Sequence, residues 1–280
     1  MKATILIDNE TQGSCACEWG FSVLIEHRDH ATLLDTGASD LFVRNAEILG
    51  VDLACVDAAA LSHAHYDHSD GFDAFFRAND TATLYAASGV RENCYAIEDG
   101  NASYIGVAHG LLERHASRIA YVDGPAQIAP GIWAVPHTTS GLAEKGSAAG
   151  MYVANDAACK NPDASDLAPD DFSHEQSIVV ELEHGVAVFS SCSHCGADVV
   201  LAEAQRFMPG RRVRALVGGF HLYETADEDV RLLAQRLKNE GVEVIYTGHC
   251  TGERAFSILQ KELGTDVVQA TESGLVIKLN

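Results

Sequence analysis

Apolar and polar positions divide this chain into short apolar runs, most of which end in a turn followed by a helical repeat or a cluster of polar side chains. Runs at 4–7, 21–26 and 31–35 read as strands, the first two separated by a loop carrying Gly13, Cys15, Cys17 and Trp19-Gly20. Asp35-Thr36-Gly37 then forms a turn. From 40 to 50, Leu41, Phe42, Ala46 and Leu49 fall at helical spacing and Gly50 stands where a C-cap belongs. An apolar run at 56–61, a polar loop and a helix through 72–76 follow, then a strand at 83–87. Residues 88–117 show no clear period and read as an insertion that could cover a pocket. Pro130-Gly131 is a turn ahead of a strand at 132–135, and 155–171, rich in Asp, Pro and Ala, reads as a mobile loop. Runs at 177–183 and 186–189 flank the turn His184-Gly185 as a hairpin. A helix at 197–207, a strand at 213–217, an amphipathic helix at 225–239 opened by Asp227-Glu228-Asp229, and a strand at 242–246 complete the pattern.

The polar loop after the 56–61 run holds the candidate chemistry. His63, His65, Asp67 and His68 place imidazole nitrogens and a carboxylate within six residues, the donors that zinc accepts and that iron also tolerates. In an extended segment His63 and His65 project to one side and can hold one ion. Asp67 and His68, just past a turn, point elsewhere and can hold a second. A surface cluster of histidines is the plainer reading, and the density of ligands with Gly71 close behind argues against it.

Further histidines stand where strands end: His137 after 132–135, His194 after 186–189, His221 after 213–217 and His249 after 242–246. Ligands delivered from several strand ends to one edge of a sheet make a convergent site. His109 and His115 lie among Gly, Ala and Glu and read as loop or surface residues. Asp35 has two readings, a direct ligand or a residue that orients a ligand histidine, and the second is favoured.

Composition narrows the partners. In 280 residues, 47% hydrophobic content is enough for a substantial core, and a net charge of −21 with a pI near 4.8 argues against nucleic acid, which needs Lys and Arg clusters. No stretch reaches the roughly 20 apolar residues of a membrane span. The first residues read as a strand rather than a signal peptide, so a cytoplasmic location, a small-molecule substrate and reduced thiols at the eight cysteines are expected.

The motif His63-Ala-His65-Tyr-Asp67-His68 resembles the signature of the metallo-β-lactamase-fold superfamily. Trp19-Gly20-Phe21-Ser22, Asp35-Thr36-Gly37, Cys192-Ser193-His194, Gly218-Gly219-Phe220-His221-Leu222 and Thr247-Gly248-His249-Cys250-Thr251-Gly252 look together like the branch that includes dihydropterin-ribofuranosylaminobenzene phosphate synthase. The resemblance implies an α/β fold, a four-layer αβ/βα sandwich formed by one domain over 1–280 with halves near 1–130 and 131–280, and a dinuclear metal site at one edge of the two sheets. It places His63 and His65 on the first ion, with His194 or His137 completing it and His194 preferred, and Asp67, His68 and His249 on the second. Zinc is the expected metal, with manganese and iron as alternatives.

One departure stands out: Cys192 occupies the region where the superfamily places a bridging Asp, so a thiolate bridge or no protein bridge is implied. The expected chemistry is metal-assisted hydrolysis, in which a water held as hydroxide attacks a carbonyl or phosphoryl centre. Asp67 would steer the nucleophile or take its proton. His221 would bind substrate, protonate the leaving group or serve as a ligand. Rival readings are the branch's transfer reaction, in which an aminobenzene displaces pyrophosphate from a dihydropterin pyrophosphate, a non-haem iron oxidoreductase, and a non-catalytic metal-binding module.

Overall fold

The computed structural model describes residues 1–11, 13–157 and 162–280. Strands β1 (Lys2–Ile7), β2 (Ser22–His27) and β3 (His30–Leu34) form an antiparallel meander, and β3 leads into α1 (Leu41–Leu49), closed by Gly50 at φ 70°. That left-handed angle suits a residue without a Cβ and ends the helix. β4 (Ala58–Leu61) lies parallel to β3 and is followed by the short α2 (Tyr66–Ser69) and by α3 (Phe72–Ala78), after which β5 (Thr83–Ala87) pairs parallel with β4.

The stretch without a period, 88–117, folds into the hairpin of β6 (Cys94–Glu98) and β7 (Asn101–Tyr104) and a short α4 (Leu111–Arg114). Then come β8 (Ile119–Val122), β9 (Ala126–Ala129), β10 (Ile132–Pro136), α5 (Ala143–Ala148), β11 (Met151–Ala154) and β12 (Leu167–Pro169). β11 and β12 join the hairpin in a separate four-stranded sheet. The loop expected over 155–171 therefore needs correction: 158–161 lie outside the described residues, and Leu167–Pro169 pairs with β11. Three residues are too few to display a period of two, so the strand left no pattern to read.

The remaining elements are β13 (Gln176–Leu182), β14 (Gly185–Phe189), α6 (Ala197–Phe207), β15 (Val213–Val217), α7 (Asp227–Glu240), β16 (Val244–Thr247), α8 (Glu253–Leu263), β17 (Val268–Ala270) and β18 (Val276–Lys278). Two seven-stranded sheets result, in the orders β18-β1-β2-β3-β4-β5-β8 and β17-β16-β15-β14-β13-β10-β9.

Alternation along the strands assigns the layers. Ile178, Val180, Ala187, Phe189, Ala215 and Val217 meet Ala3, Ile5, Val23 and Ile25 between the sheets. Their neighbours Val179, Val186, Val188 and Leu216 face outward and pack with Val230, Leu233, Ala234 and Leu237 of α7. Those four fall at i, i+3, i+4 and i+7, one face of a helix. On the opposite outer side, Leu6, Leu24, Leu33 and Ala59 pack with Phe42 and Ala46 of α1 and Phe72 and Phe75 of α3. A register shift between Ile5 and Ile7 in β1 bulges the strand, so Leu6 and Ile7 both join this outer cluster. The order helix, sheet, sheet, helix is a four-layer sandwich. Among the described residues, no helix is long and apolar enough to cross a membrane.

Strands β3 and β4 are parallel to each other, as are β14, β15 and β16, so each set sends its carboxyl-end loops to one edge. The loop between β1 and β2 is tied to this edge by Asn45, whose Nδ2 donates to Leu6 O (2.7 Å) and Ala16 O (2.8 Å) while its Oδ1 accepts from Ala16 N (2.9 Å). Asn45 is fully buried. Asn45→Ala leaves these backbone groups unpaired and is expected to lower stability by ~2 kcal/mol or more in urea unfolding; a loss of a few tenths would show that the loop is anchored elsewhere.

Candidate metal centre

Asp35, at the end of β3, is fully buried at φ 56° and holds the first cluster in place. Its carboxylate accepts from Ser62 N (2.7 Å) and Ser62 Oγ (2.6 Å), and its Oδ2 lies 2.8 Å from His68 Nδ1. Because Ser62 Oγ gives its proton to Asp35, it is free to accept from His63 Nδ1 at 2.8 Å. The Ser62 contact places the proton of His63 on Nδ1 and leaves a lone pair on its Nε2, while the Asp35 contact has His68 Nδ1 donating and turns His68 Nε2 toward Asp67. Of the two readings of Asp35, the structure places it as an orienting residue.

His63, His65 and His194 form a triangle, with ring centroids 4.6 Å apart for the first pair and 5.0 Å for each of the others. One donor atom from each lies within 4.8 Å of the others. His63 Nε2, His65 Nε2 and both nitrogens of His194 are buried without a hydrogen-bond partner. A buried unpaired polar atom costs roughly 1–3 kcal/mol, so several turned toward one point are the mark of a ligand set. Burial holds all three rings well on the neutral side, His65 at about 3, and neighbouring imidazoles push His63 and His194 down further. Neutral imidazole is the form that binds metal.

A second group sits beside the first. Asp67 Oδ2 is 3.5 Å from both His68 Nε2 and His249 Nε2, and the three residues offer donors within 4.8 Å. His249 Nδ1 faces Asn9 Oδ1 at 3.0 Å, which leaves Nε2 without a hydrogen-bond partner. Its electrostatics differ from those of the triangle. Burial opposes the charge on His68, yet Asp67 and Asp35 overcome it and raise the group to about 10 in the metal-free chain. Burial likewise opposes the charge on Asp67, and His68 and His249 hold its carboxyl well below the usual range. An ion entering here must displace the His68 proton.

Cys192 follows β14 where the bridging Asp was expected, with Sγ 3.2 Å from His68 Nε2. His221 follows β15; its ring is 4.4 Å from that of His194, and its Nδ1 has no partner. His137 is engaged differently. Its Nδ1 pairs with Glu203 on α6 and its Nε2 lies 3.6 Å from Glu175. Glu175 in turn accepts from His194 N (2.8 Å) and Cys195 N (3.0 Å), so His137 buttresses the His194 loop while His194 itself joins the triangle. His109 stacks on Tyr104 and His115 pairs with Asp73 at 2.6 Å, away from the cluster.

Backbone strain marks the same place. Asp35, Phe172, Ser193, His221 and His249 all take positive φ between 45° and 56°, a conformation that costs a non-glycine residue of order 1 kcal/mol.

Sequence reasoning missed His174, Asp170 and Cys94. His174 Nε2 is 2.9 Å from Asp170 Oδ2 and 3.7 Å from Cys94 Sγ, and the three share a donor group with His65. Asp170 and His174 stand four apart just before a strand, a signal hidden by treating the segment as loop. Asn9 and Glu175 carried no motif at all. Cys250 was visible beside His249 and was passed over.

Two cavities flank the centre. One of about 520 Å³ is lined by Lys145, Phe172, His194, His221, Tyr223 and Arg236. The other, about 490 Å³, is lined by Asp8, Trp19, Tyr223, His249 and Phe256 among others. Unpartnered imidazole nitrogens, an ionised carboxylate and flanking space together fit divalent ions that face a substrate.

Comparison with known proteins agrees with this geometry. A family model described as the Metallo-beta-lactamase superfamily matches residues 20–249. A 7,8-dihydropterin-6-methyl-4-(beta-D-ribofuranosyl)-aminobenzene-5'-phosphate synthase from Methanocaldococcus jannaschii is 25% identical over 272 residues, 92% of this chain and 89% of that protein. The crystal structure of Tm1679, titled a metal-dependent hydrolase of the beta-lactamase superfamily, superposes with a TM-score of 0.82 at 26% identity, covering 100% of this chain and 99% of that one. Zn(2+)-bound PqqB from Methylobacterium extorquens shares the fold, with a TM-score of 0.57, 13% identity and full coverage of both chains (100%).

Two measurements check the arrangement. His194→Ala is expected to lower the metal content of the purified chain, and His137→Ala to leave it unchanged; the reverse result would exchange their roles. The His137–Glu203 pair also predicts a pH window. Burial would raise Glu203, but the His137 hydrogen bond and charge bring it from 4.5 down to about 2, while His137, despite burial, is raised above 6.5 by Glu203 and Glu175. The depressed Glu203 contributes fully above 4.5 and loses its contribution as pH falls toward 2. The raised His137 contributes fully below 6.5 and fades as pH climbs through its raised value. Glu203→Gln should therefore cost ~3 kcal/mol near pH 6 and flatten the acid limb of the stability profile, read from urea midpoints across pH.

Proposed function

Because this chain belongs to the metallo-β-lactamase superfamily, we propose that it is a metal-dependent hydrolase acting on a small-molecule substrate at a carbonyl or phosphoryl centre. The observation that carries the proposal is the convergence of unpartnered imidazole nitrogens from His63, His65, His194 and His249 at one edge of the sheets, beside the ionised Asp67. His63, His65 and His194 would hold one ion and Asp67, His68 and His249 a second, zinc first by donor type and manganese or iron as alternatives. Bound there, such ions supply Lewis acidity and bring a water near neutral pKa.

The chain's own residues do the rest. Asp67 is kept ionised by His68 and His249, so an oxygen not used as a ligand can accept a hydrogen bond from an attacking water and steer it. His221 lines the 520 Å³ cavity with Nδ1 unpaired, positioned to bind substrate or to give a proton to a leaving group. Lys145 and Arg236 line that cavity together with Asp198, Glu224 and Asp229, and Arg236 pairs with Asp198 at 3.0 Å, so its wall carries no net positive charge. Phe172 stacks on His194 at 4.9 Å and covers the ring against solvent.

A second reading is a transfer reaction like that of the branch to which the methanogen synthase belongs. Its support is that relative's match along 92% of this chain, and Trp19 and Tyr223, packed edge to face at 6.0 Å, line the second cavity with aromatic surface that suits a planar ring. A third reading, redox chemistry at iron, is separated by metal content.

Chelation should abolish activity and zinc should restore it. His65→Ala should lose metal and activity together, whereas His221→Ala should keep its metal and lose ~10²-fold or more in kcat. Assays run side by side on carboxylic and phosphoric esters and on a pterin pyrophosphate with an aminobenzene nucleophile decide between hydrolysis and transfer. Full activity of a metal-free His65→Ala chain would sink both.

A further inference from the structure

Two dications held in a buried site would need anionic compensation beyond the carboxylates of Asp67, Asp35 and Asp170. The neighbours that can supply it are sulfur. Cys192 and Cys250 are both buried, at 3% and 1% exposure, with Sγ atoms 3.4 Å apart. Cys192, His249 and Cys250 offer donors within 4.8 Å of one another, and Cys192 also groups with His63 and His68.

We propose that Cys192 and Cys250 are thiolate ligands of this centre, Cys192 alongside His63 and His68 and Cys250 alongside His249. The assignment rests on the reading that the centre binds divalent ions.

Spacing supports it. Adjacent ligands of a tetrahedral ion, at ~2.0–2.1 Å for nitrogen and ~2.3 Å for sulfur, stand ~3.3–3.8 Å apart. Around this edge the successive donors His249 Nε2, Asp67 Oδ2, His68 Nε2, Cys192 Sγ and Cys250 Sγ are separated by 3.5, 3.5, 3.2 and 3.4 Å. The backbone is cut to admit the second sulfur. A Cβ on Gly219 would stand 2.5 Å from Cys250 Sγ, so only glycine leaves that space. His221 N–H donates to Cys250 Sγ at 3.2 Å, a bond that favours an anionic sulfur. Two thiolates also choose the metal: soft donors favour zinc or iron over magnesium or manganese.

The test uses the full chain loaded with Co²⁺, whose thiolate complexes absorb in the near ultraviolet by charge transfer from sulfur. Wild type should show the band, Cys250→Ser should lose part of it, and the double variant Cys192→Ser/Cys250→Ser should lose it entirely. Absence of the band in wild type, or an unchanged band in Cys250→Ser, overturns the assignment. If the variants do not fold, X-ray absorption at the zinc edge of the wild-type chain decides, with sulfur at ~2.3 Å from two cysteines expected and none or one overturning it. Ester and phosphoester turnover measured on the same samples keeps the questions apart. Zinc-dependent hydrolysis without sulfur ligation removes the thiolates and leaves the hydrolase reading, while sulfur ligation without hydrolysis or transfer does the opposite.

Discussion

The Asp35 carboxylate is the interaction on which the centre depends. A buried carboxylate without partners costs several kcal/mol, and this one offsets the cost by taking the Ser62 amide, the Ser62 hydroxyl and His68 Nδ1. Each bond has a structural consequence. The amide contact locks the end of β4 against the end of β3. The hydroxyl contact turns Ser62 into an acceptor for His63, and the His68 contact leaves Nε2 facing inward. One side chain thus fixes the ring orientation of histidines that belong to both donor groups.

From that anchor the centre divides by electrostatics. The triangle of His63, His65 and His194 is neutral because burial and mutual repulsion keep protons off, so it is ready for an ion. The Asp67 group favours a proton on His68. An ion at that group would have to displace a proton, whereas one at the triangle would not. The sulfur atoms of Cys192 and Cys250 stand on the Asp67 side, beside His68 and His249.

The sandwich makes this arrangement affordable in strain. Loops after β3, β14, β15 and β16 carry Asp35, Ser193, His221 and His249 in left-handed conformations. Such backbone persists only where its surroundings leave no alternative. Here the strands beneath are buried on both faces and parallel within each set, so the loop bases cannot shift.

The sequence by itself determined elements whose apolar runs stand clear of their flanks, such as α6 over Ala197–Phe207 and β5 over Thr83–Ala87, and the local ligand cluster from His63 to His68, because both are encoded within a few residues. It also indicated that His194, His221 and His249 follow strands. Short or half-exposed pieces, β12 and the β6–β7 hairpin, escaped because too few residues repeat. Only the tertiary structure decided which distant side chains meet. It put His194 in the triangle and paired His137 with Glu203, placed Asn9 behind His249, joined His174 to Asp170 and Cys94, and set Cys250 against Cys192. Those contacts span up to 240 residues. They depend on strand order and loop twist, which no local pattern carries.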